Sequence, residues 1–389
     1  MFSLANLYNI LTANLLPNVE VCVQYFYTFN SPESFDPDDD IRCVDVFSNP
    51  QNLILFYDQE PIVQSIFDQL ALKQMYHSYF STTSNKILAN SEHSALKNDI
   101  LKEYGFLDWY YFCHGFAALD WYRDYRYMPN VEKQFTKVFI SLNHLVTKDR
   151  SYRLNLVANY IEQGILDQGI VSLPLSDVNG NIKSELFDTH SSLSQEAKKL
   201  IYKNVYKLNG PLVADTLYPE GTMSAKLDMN LQQEALWNVV SETVFYHNKL
   251  HLTEKIFKPI VARRPFILVT APGNLAYLKS YGFKTFDRWV DESYDTETDN
   301  DRRIQKITQE LTRLCAMSPD KLKQMHSEMK EVLDYNFNHF YGDFKQIIVD
   351  ELVDNFYHCV CQLNNGKPTD QIVPVNPNTL LEVKNRLKQ

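Results

Sequence analysis

Glycine is scarce in this sequence, with 11 residues among 389. Two common nucleotide-binding motifs, GxGxxG and GxxxxGK followed by Ser or Thr, depend on glycine, because only glycine lets the backbone approach phosphate groups so closely. Neither motif occurs in the chain. A phosphorylated ligand would therefore have to be held by side chains and by the N-termini of helices.

Three further features are missing. The 6 cysteines have no regular spacing, which favours a reducing compartment: the cytoplasm, or the host cytoplasm if the protein is viral. No stretch approaches about 18 uninterrupted apolar residues, so no membrane span is predicted. The first residues lack the basic leader and the small-residue cleavage site of a signal peptide.

The formal net charge of −10 argues against a protein that holds duplex nucleic acid through broad phosphate contact, although it leaves room for a local basic groove. A length of 389 residues predicts two domains rather than one. No prediction of oligomeric state follows from the sequence.

The first half of the chain alternates strand and helix patterns. Its predicted strands are Val19–Tyr27, Asn52–Tyr57, Lys86–Ala89 and Trp109–Cys113. The helix predicted after Lys86–Ala89 ends at Gly105, because glycine commonly ends helices. The run NLILFY at Asn52–Tyr57 is continuously apolar, as in a buried parallel strand, and ends at Asp58 and Glu60. Pro61 suits the first turn of a helix over Ile62–Ala71. The two carboxylates thus lie where strand passes into helix, and either cap that helix or face a crevice.

The second half repeats this alternation. A strand at Lys137–Leu142 precedes a loop and a helix at Ser151–Gln163, and a short helix is predicted at Asn230–Asn238. The stretch Val239–Gly273 then has the pattern of a βαβ unit, which builds parallel sheets. Its predicted parts are a strand (Val239–Phe245), a loop (Tyr246–Leu252), a helix (Thr253–Arg263) and a strand (Phe266–Thr270).

This order predicts two α/β domains that face each other across a cleft, with a helical C-terminus. We place the first domain at 1–130 and the second at 137–330, joined by the region 121–136. Helices follow over 331–364, and a polar tail over 365–389.

Two groups of charged residues are candidates for a site. Lys148, Arg150 and Arg153 lie at the start of a helix, where the helix dipole and guanidinium groups both favour a diphosphate. The alternative is that these are ordinary surface charges. Lys255 also lies at a helix start. The positive end of the helix dipole disfavours a cation there, so a lysine at this position points to a nearby anion.

Glu242 and Glu254 form the second group, close to Lys255. Burying a carboxylate costs several kcal/mol unless it is paired or hydrogen-bonded, so one explanation is that the two acids accept hydrogen bonds from ribose or sugar hydroxyls. The other is that Glu254 simply favours a helix N-terminus beside Lys255.

The segment SETVFYHNKLHLTEKIFKPIVARRPFI resembles the signature of the α1,3-fucosyltransferases, in which a strand glutamate precedes a Thr-Glu-Lys helix start. SLNH and KDRSYR are similar to the diphosphate region of those enzymes, and LILFYDQEP to their strand that ends in a catalytic glutamate. The three segments occur in the family's order. Two positions depart from it: His251-Leu252 replaces the usual aromatic residue, and Glu242-Thr243 replaces Glu-Asn.

The resemblance implies a GT-B fold, with two Rossmann-like domains, the acceptor domain at 1–130 and the nucleotide-sugar donor domain at 137–330. It implies an inverting glycosyltransferase with a nucleoside-diphosphate sugar as co-substrate, no metal and no other cofactor. Glu60 would be the catalytic base and Asp58 the alternative base. The implied donor-binding residues are Lys148, Arg150, Arg153, Glu242, Tyr246, His251, Thr253, Glu254 and Lys255.

Other functions stay open at this point. The acceptor is a glycan by default, or a hydroxymethylated base of phage DNA, with the aromatic stretch Trp109–Tyr127 stacking bases. A GT-A transferase would hold a divalent metal at Asp38–Asp40. A non-catalytic nucleotide- or sugar-binding homologue on the same fold is the main alternative to an enzyme. A helical scaffold protein would leave the carboxylates at strand ends unexplained.

Overall fold

The structure is a computed structural model that describes residues 21–26, 41–43, 52–72, 85–128, 134–177, 180–214, 225–364 and 377–388. It is a mixed α/β protein with parallel sheets and a helical C-terminus. The chain divides into two compact units. The first unit is Met1–Asp120 together with Asp343–Gln389, and the second unit is Trp121–Gly342.

The first unit contains a five-stranded sheet. Its strands are β1 (Val21–Phe26), β2 (Ile41–Cys43), β3 (Asn52–Tyr57), β4 (Asn85–Asn90) and β5 (Phe106–Tyr110), in the order β2-β1-β3-β4-β5. All neighbouring pairs are parallel except the edge pair of β1 and β2. The predicted strand Asn52–Tyr57 is confirmed, and it lies in the middle of this sheet with Leu55 and Tyr57 buried.

The helices of the first unit are Gln64–Leu72, Ala95–Tyr104, Cys113–Trp121, Asp343–Asn364 and Pro377–Lys388. Ser94 caps the second of them by accepting the N–H of Lys97, and Gly105 ends it with φ 69°. A left-handed residue at that position is usually glycine, because a Cβ atom is strained there. The prediction that Gly105 ends this helix is confirmed.

The C-terminal helix Asp343–Asn364 packs on strand β5 within the first unit. The Trp109 indole N–H donates to the Leu352 carbonyl at 3.0 Å, and its ring lies 4.8 Å from that of Phe356. The structural division therefore differs from the sequence-based one: residues 331–364 are not a separate segment, since residues up to Gly342 belong to the second unit and the rest complete the first. The first division of the chain falls after Asp120 rather than after residue 130.

The second unit contains a four-stranded, wholly parallel sheet. Its strands are β6 (Lys137–Ser141), β7 (Gly169–Val171), β10 (Ala235–Ser241) and β11 (Phe266–Val269), in the order β11-β10-β6-β7. Two strands of two residues each, β8 (Ser176–Asp177) and β9 (Gly180–Asn181), pair antiparallel and form a separate sheet. Every residue of β10 is buried, as expected for a central parallel strand covered on both faces.

The α-helices of the second unit are Tyr152–Glu162, Ile182–Phe187, Gln195–Asn204, Met229–Glu234, Phe257–Val261, Asn274–Ser280, Asn300–Cys315 and Pro319–Tyr341. The helix predicted at Asn230–Asn238 is wrong in its second half, because Ala235 already begins β10. Parallel pairing with β6 and β11 on both sides outweighs the local helical pattern there. Consequently β10 ends at Ser241, and Glu242 lies just beyond the strand instead of inside it.

Gly169 begins strand β7 where the ring of Phe139 on β6 covers it. A Cβ atom at Gly169 would lie 2.4 Å from that ring, which is buried. We expect Gly169→Ala to lower the free energy of unfolding by about 1–3 kcal/mol, because the ring would have to move within a packed core. Chemical denaturation measures this. Gly210→Ala is the matched control, since nothing lies within 4 Å of its Cβ position, and an equal loss in both variants would contradict the packing explanation.

Candidate functional site

Four of the predicted donor residues come together at the carboxyl end of β10. Glu242 is fully buried, and its carboxylate accepts a hydrogen bond from the Thr253 hydroxyl. The Lys255 ammonium donates to Thr253 Oγ1 and to Glu254 Oε1, both at 3.2 Å. Glu242, Thr253, Glu254 and Lys255 thus form one connected polar network, which we call the β10 network. The crevice beyond the carboxyl ends of parallel strands is where open α/β sheets bind ligands.

Burial makes this network costly to assemble. The side chain of Glu254 is 3% exposed and that of Lys255 32% exposed. The ion pair between them is the arrangement that a purely structural role for Glu254 predicts. The link to the buried Glu242 is additional, because the Thr253 hydroxyl connects this second carboxylate to the same lysine. A hydroxyl that donates to one group and accepts from another fixes both in orientation.

Arg153 does not fit its predicted role as a diphosphate ligand. Its guanidinium is buried and donates to three backbone carbonyls, those of Leu145, Ser241 and Glu242, at 2.8 to 3.0 Å. These bonds join helix Tyr152–Glu162 to the end of β10. Arg153 therefore positions the chain around Glu242, and a direct contact with a nucleotide stays a prediction.

A second buried arginine, Arg303, binds the backbone of the loop that follows β10. The sequence pattern did not identify it. Arg303 donates to the carbonyls of Phe245 and Glu297 at 2.7 and 2.8 Å, and its guanidinium lies 4.1 Å from the centre of the Phe245 ring. Burial lowers the pKa of Arg303 to about 10. Phe245 in turn stacks on Tyr152, whose hydroxyl donates to the Glu242 carbonyl. An arginine in the first turn of an amphipathic helix looks like a surface charge in sequence, so only the fold identifies it.

Lys148 lies in a loop whose backbone is held by two acids. The N–H groups of Val146 and Thr147 donate to Asp177 at 2.6 and 3.0 Å, and that of Lys148 donates to Glu185 at 2.5 Å. Lys148 has φ 53°, in the left-handed region, which costs a residue with a Cβ atom about 1–2 kcal/mol. The pKa of the Glu185 carboxyl is raised, and burial is the main cause. The sequence analysis did not identify either acid.

Tyr246 and His251 occupy the loop after β10. The Tyr246 hydroxyl is 2.9 Å from Ser151 Oγ, and burial raises the pKa of Tyr246. His251 is fully buried, and its backbone N–H donates to Asn274. Asn274 also donates to the carbonyls of Lys249 and Ala271. Asn274 thereby fixes the backbone of the segment that leads into the β10 network.

In the first unit, the turn after β3 is held at several points. Tyr111 donates a hydrogen bond to the buried carboxylate of Asp58, and the His114 ring lies 2.9 Å from the Gln59 carbonyl. The N–H of Ile62 donates to Glu92 at 2.8 Å. The following helix starts at Gln64 and not at Ile62 as predicted.

Glu60 is only partly buried, whereas Asp58 is almost fully buried. The pKa of the neighbouring Tyr57 is raised by burial first and then by the charges of Glu60 and Glu92. Glu92, fully buried after strand β4, accepts a hydrogen bond from Ser94 as well as from Ile62. It is a third carboxylate at this edge of the sheet that the sequence analysis missed.

No protein-family model matches this chain, and no curated protein matches it.

The remaining predictions concern other parts of the chain. In the aromatic stretch Trp109–Tyr127, Trp109, Tyr111 and Tyr122 are buried, and Tyr127 is 81% exposed. Most of this stretch is core, so it offers bases little to stack on. Asp38–Asp40 lies outside the described residues. Within those residues, no group of three or more His, Cys, Asp or Glu side chains is arranged to hold a metal ion.

Among the residues that the structure describes, no helix combines the length and the apolar character needed to cross a membrane. Cys113, Cys315 and Cys359 are buried free thiols.

Proposed function

We propose that the protein is an inverting, metal-independent glycosyltransferase of GT-B type, which moves a sugar from a nucleoside-diphosphate sugar to an acceptor hydroxyl. The β10 network carries the proposal. It brings two buried carboxylates, a hydroxyl and an ammonium to the carboxyl end of a central parallel strand. The resemblance to the α1,3-fucosyltransferase signature covers the same residues and supports the same conclusion.

The chemistry assigns a role to each charged group. Glu60 takes the proton of the acceptor hydroxyl while that oxygen attacks the anomeric carbon and the bond from this carbon to the nucleoside diphosphate breaks. Lys255 neutralises charge that develops on the departing diphosphate. Glu242 and Glu254 accept hydrogen bonds from hydroxyls of the ribose or the donor sugar. Thr253 orients Glu242, and Arg153 and Arg303 hold the surrounding backbone.

A non-catalytic protein that binds a nucleotide or a sugar is the second candidate. The ion pair of Glu254 and Lys255 is as compatible with such a binding protein as with an enzyme, because the pair can position a ligand that does not react. A glycan is the acceptor we propose for the enzyme. A hydroxymethylated DNA base is the alternative acceptor, and the burial of Trp109 and Tyr111 counts against it.

A thermal-shift screen of nucleoside diphosphates and nucleotide-sugars tests the proposal. A ligand at about 100 times its Kd should raise the stability of the native chain by about 2.7 kcal/mol. For the ligand found, Thr253→Val should weaken binding about tenfold, because Glu242 loses its hydroxyl donor, and Thr253→Ser should retain binding.

The same ligand then separates the two candidates. An enzyme releases nucleoside diphosphate from one nucleotide-sugar when acceptors are supplied, and a binding protein releases none. A native chain that no member of the panel stabilises would refute both.

A further inference from the structure

The turn from Asp58 to Ile62 carries the proposed base Glu60, and it contains a proline directly after that residue. The ring of Pro61 fixes its own φ at about −65°. The residue before a proline is restricted too, because the proline ring collides with it in the helical region. The backbone at Glu60 and Pro61 therefore has little conformational freedom even before any tertiary contact forms.

Two buried side chains bind the next peptide group at both of its polar atoms. The Tyr57 hydroxyl donates to the Pro61 carbonyl at 3.2 Å, and the Ile62 N–H donates to Glu92 Oε2 at 2.8 Å. This carbonyl and this N–H belong to one planar peptide group. Tyr57 and Glu92 therefore fix the orientation of that plane, and with it the path of the chain beside Glu60.

Glu92 is itself held in place by its neighbours. Strands β3 and β4 pair directly, so Glu92, which follows β4, lies beside the turn that follows β3. Its Oε1 accepts a hydrogen bond from Ser94, whose hydroxyl also accepts the Lys97 N–H at the start of helix Ala95–Tyr104. A carboxylate is a stronger acceptor than a neutral oxygen, so Glu92 binds the Ile62 N–H firmly.

The charges of Glu60 and Glu92 both act on the Tyr57 hydroxyl. The pKa of Tyr57 is raised well above its usual value, mainly by burial and next by these two carboxylates. Both acids thus lie near the hydroxyl that binds the Pro61 carbonyl. A tyrosine with a raised pKa stays protonated, so it continues to donate this hydrogen bond in alkaline solution.

We propose, on the basis of the proposed function, that Glu92 and Tyr57 are positioning residues for the catalytic base: they hold the peptide group after Pro61 so that the Glu60 carboxylate meets the acceptor hydroxyl in one orientation. A general base must lie within hydrogen-bond reach of the proton that it takes. A displacement of about 1 Å can lower a rate about 100-fold. Both residues act through Glu60, and neither is assigned a contact with substrate.

Steady-state transfer by the full chain tests this role. The donors are GDP-fucose, GDP-mannose, UDP-glucose and UDP-N-acetylglucosamine, with oligosaccharide acceptors, and the readout is release of GDP or UDP. Glu92→Ala should lower kcat about 10- to 100-fold and leave KM for the donor within about twofold of the native value. Glu92→Gln should recover most of that rate, since its amide oxygen can accept the Ile62 N–H and its amide NH₂ can donate to Ser94.

The double variant Glu60→Gln/Glu92→Ala separates positioning from general damage. If Glu92 acts through Glu60, adding Glu92→Ala to Glu60→Gln should lower the residual rate by less than about twofold. A role confined to stability would lower the rate by the same factor in both backgrounds, and that result would overturn the inference.

Tyr57→Phe is a second, milder test, which decides the question if Glu92→Ala does not fold. It removes only the hydroxyl that binds the Pro61 carbonyl and keeps the buried ring. We expect it to lower kcat about 3- to 10-fold when Glu60 is present, and to have no further effect in the Glu60→Gln background.

Gly105→Ala is the control for loss of stability. Gly105 ends helix Ala95–Tyr104 with φ 69°, so an alanine there is strained and should lower the midpoint of thermal unfolding. Its Cβ would lie at an ordinary contact distance, 3.7 Å, from the Lys86 side chain. At a temperature where the chain is folded, this variant should transfer sugar at the native rate. A rate that fell as far as in Glu92→Ala would contradict a positioning role.

The outcomes separate this inference from the proposed function. If the native chain releases GDP or UDP, but folded Glu92→Ala and Tyr57→Phe release it at the native rate, the positioning role is wrong and the proposed function stands. If the native chain releases neither GDP nor UDP from any of these donors, the proposed function fails and the positioning role fails with it.

Discussion

Glu60→Gln is expected to lower the rate of sugar transfer by about 10²–10⁴-fold and to leave nucleotide binding unchanged. The amide is nearly the same size as the carboxylate, yet it cannot take a proton from the acceptor hydroxyl. Glu60 is partly accessible, and the turn that carries it is held at Asp58, Gln59 and Ile62 by hydrogen bonds to other elements. The substitution should therefore change the chemistry and not the fold. Single-turnover transfer, with nucleotide affinity by calorimetry, measures both quantities.

Asp99→Asn is the matched control, because it makes the same change of acid to amide at an exposed position of the first unit. It should transfer sugar at the native rate. Asp58→Asn provides the opposite comparison. Asp58 is buried and hydrogen-bonded to Tyr111, so we expect this variant to lose stability, by about 1–3 kcal/mol. If Glu60→Gln turned over normally while folded Asp58→Asn did not, Asp58 would be the base.

Arg153→Ala is expected to lower the free energy of unfolding by about 3–5 kcal/mol, the largest loss of stability among these variants. Removing the guanidinium takes one donor from each of the carbonyls of Leu145, Ser241 and Glu242, and it opens a cavity where a large side chain was buried. Chemical denaturation of the native and variant chains measures the difference.

Arg302→Ala is the control for charge and side-chain size, because Arg302 is exposed on helix Asn300–Cys315. It should unfold within about 0.5 kcal/mol of the native chain. The sequence predicts that Arg153 binds diphosphate directly. An Arg153→Ala chain that kept native stability but lost nucleotide affinity would restore that role and would contradict the structural role described above.

The residues of the β10 network illustrate what local sequence reveals. Glu254 and Lys255 were recognised because acidic and basic residues at the start of a helix have a known electrostatic preference. Thr253 was recognised through the family resemblance, and the structure adds that its hydroxyl joins Glu242 to Lys255. All four residues lie within 242–255, so a short stretch of chain was enough to predict that they meet.

Contacts between residues that are far apart in the chain could not be predicted from the local sequence. Asp177 and Glu185 bind N–H groups some 30 to 37 residues earlier, and Arg303 binds a carbonyl 58 residues earlier. Nothing in the local pattern of an acid on a turn, or of an arginine on a helix, shows that a distant backbone group lies beside it. Arg153 was predicted as a ligand for the same reason, since its partners at Ser241 and Glu242 are unknown until the sheet is formed.

The sequence by itself determined the α/β class, the central strand Asn52–Tyr57, the helix end at Gly105 and the grouping of Glu242 with Thr253, Glu254 and Lys255. These follow from hydrophobic runs, backbone preferences and neighbouring charges, all of which act over a few residues. The tertiary structure decided that β10 ends at Ser241, that the helix Asp343–Asn364 completes the first unit and that Arg153 and Arg303 bind backbone carbonyls. Those outcomes depend on strand pairing and on the burial of polar groups between elements far apart in the chain, where each buried donor must find an acceptor.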